Sequence, residues 1–139
     1  MKILVDTNVV LDLLLDREPF STAAAGLFSR IQTGAATGFL CATTVTTTHY
    51  LIGKALGTKR ATREIRKLTN LFQIAAVDHV VLEAALLSGF VDFEDGVLHA
   101  AAKRAGVQGI VTRNQQDFKV SELPVYSPDE VLRLLKAAQ

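Results

Sequence analysis

Only one cysteine, Cys41, stands among the 139 residues, so the chain has no internal disulfide. Its neighbours are apolar, which marks it as a buried free thiol and makes a reducing, cytoplasmic setting the expected one. No apolar run is long enough to span a bilayer, and no membrane partner is expected. The opening run, residues 3–15, is broken by Asp6, Asn8 and Asp12. It also lacks the basic start and small-residue cleavage site of a secretory leader. Net charge is nearly absent: 15 Lys and Arg against 14 Asp and Glu give +1, too little to identify a nucleic-acid partner by itself. The three histidines, His49, His79 and His99, are scattered without metal-ligand spacing. There is no repeat, low-complexity tract or linker, and the length suits one domain, residues 1–139.

What is present is an alternation of strand and helix patterns. Lys2 to Val5 is a short apolar strand, and residues 9–15 read as a helix. Ser21 starts a second helix, with Ala24, Leu27, Phe28 and Ile31 on one face and Gly34 as its stop. Residues 38–41 form the next strand. Residues 43–56 carry threonines that favour strand, but Val45, His49, Ile52 and Leu56 keep helical spacing before Gly57, and the segment is taken as a helix. A basic helix over 59–72, a strand over 73–77, and a helix capped by Asp78 and running to about Phe90 follow. Asp95 opens a helix closed by Gly106, and residues 109–112 make a strand. Ser127-Pro128-Asp129-Glu130 is a capping box with proline at the first helical position. Elements in this order imply right-handed crossovers and a parallel sheet covered on both faces.

In an open parallel sheet, ligands bind at the carboxyl ends of the strands. That rule selects Asp6 after the first strand, Asn114 and Asp117 after residues 109–112, and Asp95 on the helix leading into that strand. Three carboxylates without histidine or thiolate partners suit a hard cation, Mg2+ or Mn2+. Two carboxylates about 4 Å apart repel by roughly 4 kcal/mol at an effective dielectric of 20, so a divalent ion, a shared proton or a nearby base must offset them. Each acid has a plainer reading: Asp6 and Asp95 as helix caps, Asp117 as a turn residue. Asp92 is either a further ligand or a loop acid. Asp12 is as well explained by pairing with Arg17 as by a role in the site. Arg113 either contacts a phosphate or neutralises the acids. Charge is segregated: six basic residues lie between Lys54 and Lys67 against the single acid Glu64, whereas Asp92, Glu94 and Asp95 fall within four positions. An acidic focus with a separate basic flank suits a metal site beside a phosphate-binding surface, and a solvated helix face would account for the basic run equally well.

Three blocks, Val5-Asp-Thr-Asn-Val-Val-Leu-Asp12, Asp92-Phe-Glu-Asp95 with Ala100-Ala-Ala102, and Val111-Thr-Arg-Asn114 with Asp117-Phe118, resemble the PIN domain. The resemblance spans nearly the whole chain and is strongest to the compact prokaryotic branch related to VapC-type toxins. It implies a three-layer α/β/α fold around a central five-stranded parallel sheet. It also implies a Mg2+- or Mn2+-dependent endoribonuclease, often a homodimer and often held by a protein antitoxin. By position, Asp6, Asp95 and Asp117 match family acids as catalytic residues and metal ligands, with Asp92 as a further candidate ligand. Asn8, Asn114, Thr112 and His49 are expected around them, and Arg113, Arg60, Arg63 and Lys67 against RNA. One departure stands out: many relatives carry a glutamate in the helix after the second strand, whereas residues 42–52 contain no acid. Thr47, Thr48 or His49 occupies its place. The alternative reading is therefore a weak or inactive PIN module that binds RNA or a protein. A phosphohydrolase of the haloacid-dehalogenase type would need a second aspartate where Asn8 stands.

Overall fold

A computed structural model describes residues 1–138. Strand β1 (Lys2–Val5) leads to α1 (Thr7–Leu14) and α2 (Ser21–Gln32), then β2 (Thr37–Cys41). Two helices, α3 (Ala42–Leu56) and α4 (Thr58–Leu71), precede β3 (Gln73–Ala75). Helices α5 (His79–Leu86) and α6 (Phe93–Ala105) lead to β4 (Gly109–Val111). A 3-10 turn (Gln115–Phe118), β5 (Val125–Tyr126) and α7 (Pro128–Ala137) complete the chain. The five strands form one sheet in the order β3-β2-β1-β4-β5. Every pairing is parallel. The expected α/β/α architecture with a central five-stranded parallel sheet is therefore the one observed. No helix among the described residues is long and apolar enough to cross a membrane.

The central strand explains the three layers. All of Ile3, Leu4 and Val5 are fully buried, because a parallel sheet is covered on both faces. Side chains alternate across a strand. Ile3 and Val5 pack with Val9, Leu27, Phe28, Leu68 and Val131, from α1, α2, α4 and α7. Leu4 faces the opposite way, onto Val81, Ala85, Leu98 and Ala101 of α5 and α6.

Element boundaries depart from the sequence reading mainly at helix starts. Helix α1 begins at Thr7, not Val9, because the Asp6 carboxylate accepts a hydrogen bond from Thr7 N. Helix α5 ends at Leu86 and not near Phe90. Helix α6 begins at Phe93 rather than Asp95, because Asp92 caps it, accepting from the backbone N–H groups of Glu94 and Asp95. The segment with many threonines is helical from Ala42 onward, as taken. The Ser127 capping box forms with both of its reciprocal bonds.

Gly38 on β2 is fixed by packing. A Cβ there would sit 2.7 Å from ring carbons of Phe72 and 2.9 Å from Ile31 Cδ1. Phe72 is itself held edge-on by Phe28, with ring centroids 5.1 Å apart. Neither neighbour is free to retreat. Gly38→Ala is expected to lower stability by about 1–3 kcal/mol, as overpacking does. Urea unfolding checks this, since the midpoint should fall at unchanged slope.

Candidate functional site

The carboxyl end of β1 is where the chain places its least comfortable charge. Asp6 follows Val5 directly, and its N–H donates to Val111 O at 2.9 Å, so the residue is pinned between β1 and β4. Its side chain is buried. Oδ1 accepts from Thr7 N at 2.7 Å and Oδ2 accepts from the Thr112 hydroxyl at 2.8 Å. Thr112, the residue after β4, is fully buried and works as a hub. Its Oγ1 also accepts from Asn114 N at 3.0 Å and from Asn8 Nδ2 at 3.3 Å. Asn8 Oδ1 in turn accepts from Arg113 N at 3.3 Å. Thr112 thus bonds Asp6 directly, while Asn8 and Asn114 hold the Thr112 hydroxyl that does so.

Asp6 opens into a cavity of about 240 Å³ that Asp92, Asp95, Asn114 and Asp117 also line. First-turn residues of three helices complete the walls: Thr7 and Asn8 of α1, Thr43 and Thr44 of α3, Glu94 of α6. Helix N-termini carry partial positive charge, which offsets part of the acidity. It does not offset all of it. Burial holds the Asp6 carboxyl above its ordinary range despite the hydrogen bonds from Thr112 and Thr7, and Asp117 and Asp92 push the same way. Asp95 is pushed up to about 7 by partial burial first, then by Asp6, Asp92 and Asp117. None of the ion pairs among the described residues reaches Asp6, Asp95 or Asp117.

The donors are carboxylate, hydroxyl and amide oxygens, the set that suits a hard divalent cation. Among the described residues, no three Asp, Glu, His or Cys side chains already converge closely enough to hold one. Acids that repel one another with no base between them are expected to stand apart in this way. Asp92 spends Oδ1 on the α6 cap, accepting from Glu94 N at 2.8 Å and Asp95 N at 3.3 Å, and also lines the cavity.

Several expectations need correction. His49 lies outside the cavity, 3.3 Å from Thr62 Oγ1 on α4, because helical geometry turns it to another face of α3. Thr43, Thr44 and Thr47 supply the α3 wall instead, with Thr44 Oγ1 2.9 Å from Thr7 Oγ1. Arg113 is not available to a phosphate. Its Nε donates to Asp12 Oδ2 at 2.7 Å and Nη2 to Asp12 Oδ1 at 3.1 Å, and the guanidinium lies 4.0 Å over the Phe20 ring. Arg17 Nε, at 2.9 Å, completes the pairing of Asp12, which is almost fully buried. Arg60 and Arg63 are exposed on α4 and line neither wall of the acidic cavity. Lys67 pairs with Glu64 at 3.4 Å beside an apolar groove containing Leu13, Leu14 and Phe28, away from the acids. Sequence reading missed Glu94 and Thr44 as wall residues. The first-turn position of each, next to an acid or a strand end, was the signal that could have found them.

A family model described as the PIN domain matches residues 2–116. No curated protein sequence matches the chain. Among solved structures, that of VapC20 from Mycobacterium tuberculosis, a sarcin–ricin loop cleaving toxin, is similar over 78% of this chain and 86% of its own. The identity is 18% and the TM-score 0.63. DNA-bound VapBC from Salmonella typhimurium is similar over 92% and 98%, at 14% identity and a TM-score of 0.71. A toxin–antitoxin complex from Klebsiella pneumoniae is similar over 91% and 97%, at 20% identity and a TM-score of 0.68. At these identities the likeness establishes the fold.

Two outcomes follow from the charges. Removing Asp12 strands two guanidinium groups in a partly buried setting, so Asp12→Ala is expected to cost about 3–5 kcal/mol in chemical denaturation. The second concerns pH. Asp95 binds its proton more tightly when folded, so between about pH 4 and about 7 the folded state holds more protons than the unfolded one. Its contribution therefore favours folding below this window and is lost as pH rises through it. Discounted for solvent screening, that loss is of order 1 kcal/mol. His99, whose pKa burial lowers, works in the opposite sense, so the contrast between variants carries the test. In EDTA, Asp95→Asn should gain thermal stability relative to the unmodified protein at pH 8 but not at pH 4.

Proposed function

The chain belongs to the PIN-domain family, and on that premise we propose that its acidic cavity is the active site of a divalent-metal-dependent nuclease that hydrolyses RNA. The observation that carries this reading is the meeting of Asp6, Asp95 and Asp117, far apart in sequence, on one cavity at the carboxyl edge of the sheet. No ion pair among the described residues reaches them. Asp117 raises the proton affinity of Asp6, and both raise that of Asp95. Asp6, Asp95 and Asp117 would hold Mg2+ or Mn2+, with Asp92, whose Oδ1 caps α6, as a further candidate ligand.

The chemistry such a cation supplies is polarisation of a phosphodiester oxygen and acidification of water. The protein's own part is positional. Thr7 N and Thr112 Oγ1 lock the Asp6 carboxylate in one rotamer, so that its direction is set before substrate arrives. Asp95, carried on the first turn of a helix that packs on the sheet, is equally constrained along the backbone. Asn114 and the hydroxyls of Thr7, Thr44 and Thr47 present neutral polar groups to the cavity, suited to orienting a phosphate or a water without adding repulsion. Arg60 and Arg63 are exposed cations that would attract the RNA backbone from a distance. By analogy with the toxin–antitoxin relatives, a protein antitoxin is the proposed partner.

A second reading is supported by the α3 wall, where threonines stand and no acid does. With one carboxylate fewer, the module would bind RNA or a partner without turnover. Cleavage of a mixed RNA pool in Mn2+ separates the two. The nuclease reading expects cleavage abolished by EDTA and reduced at least about a hundredfold in Asp6→Asn, the scale of losing a group that acts only in the transition state. Binding without cleavage, together with no Asp95-dependent Mn2+ site by calorimetry, would favour the second reading. Cleavage that persists through both controls would refute the first.

A further inference from the structure

A second cavity, of about 490 Å³, also lies against Asp117. It shares Asp92, Asp95 and Asp117 with the acidic cavity, so these three side chains border both. Its remaining walls are chemically different. Lys119 and Gln116, from the 3-10 turn and the residue after it, bring a cation and an amide. Val91 and Val120 bring apolar surface that is exposed to solvent. Its volume is within the roughly 300–1,000 Å³ usual for small-molecule sites.

Lys119 is the informative residue. It lines a cavity with three carboxylates, yet none of the ion pairs among the described residues includes it. Lys103, by contrast, is paired with Glu122 on the same side of the molecule. An exposed ammonium beside an acidic centre attracts anions to the rim of a site that would otherwise repel them. The amide of Gln116 can both donate and accept, as the edge of a nucleobase requires. The two valines offer a flat apolar contact for the face of a base.

We propose that this cavity is a nucleotide subsite, in which Lys119 contacts a phosphate flanking the scissile one while Gln116, Val91 and Val120 receive the attached base. The assignment rests on the nuclease reading, since it takes the scissile phosphate to lie at the acids. It makes Lys119 a substrate-binding residue whose contribution is to affinity rather than to the chemical step.

The test uses a short fluorescent single-stranded RNA, its affinity measured by anisotropy in EDTA and its cleavage measured in Mn2+. Lys119→Glu should raise both Kd and KM about tenfold with kcat within about twofold, the pattern of a lost binding contact. Lys119→Ala should reduce the slope of log K against log salt by about 0.7, one single-strand phosphate. Lys136→Glu, an exposed charge reversal on α7, controls for net charge and should change neither value. Val120→Ser, which removes apolar contact without adding charge, should weaken binding while leaving the salt slope of the unmodified protein largely intact. If the protein cleaves in an Asp6-dependent way but Lys119→Glu behaves like Lys136→Glu, the subsite is overturned and the nuclease reading stands. If the unmodified protein neither binds nor cleaves RNA, both fall together.

Discussion

A carboxylate buried at the end of the central strand, with no ion-pair partner among the described residues, is the constraint around which this edge of the sheet is arranged. Asp6 cannot move: its backbone closes the β1–β4 pairing and its two oxygens are held by Thr7 N and Thr112 Oγ1. Those hydrogen bonds favour the ionised form, and burial outweighs them. The same edge gathers the starts of α1, α3 and α6, whose free N–H groups lend partial positive charge. Asp95 and Asp117 then add acid where acid is already costly.

One turn of α1 and a half later, the same chain solves the same problem differently. Asp12 is even more deeply buried than Asp6, yet it has two guanidinium partners, Arg17 and Arg113. The divergence starts at a single peptide after β4. Thr112 turns its hydroxyl to Asp6, and Arg113 sends its side chain to Asp12. The arginine four residues before Asp117 is thereby kept from the cavity, and none of the ion pairs among the described residues reaches the three acids there. One buried aspartate is balanced by arginines within the chain, and the other is held only by hydrogen bonds.

The order of strands and helices was legible because each apolar run and each cap follows from local chemistry. The acids at 6, 95 and 117 were legible for a related reason: parallel sheets expose strand carboxyl ends, and all three acids fall there. The errors have physical causes too. His49 was one of three residues, with Thr47 and Thr48, placed where the resembled family carries a glutamate. Thr47 lines the cavity, and His49, two positions further along the helix, is turned about 200° from it. Arg113 looked free because its partner, Asp12, is 101 residues away and no local pattern announces a buried pair. Asp92 was weighed as a ligand, and capping claims one of its oxygens, a use that spacing to Glu94 and Asp95 could have revealed. Strand β5 has only two residues, too few to carry a periodicity.

Anomalous diffraction from crystals soaked in Mn2+ addresses the shared-ion arrangement most directly. Density within bonding distance of carboxylate oxygens from Asp6 and Asp95, with Asp117 drawn toward it and the peak lost in Asp95→Asn, is the expected result. A crystal saturated with Mn2+ that shows no ion among these three side chains, or that binds it elsewhere, would contradict a metal-dependent site at this edge of the sheet.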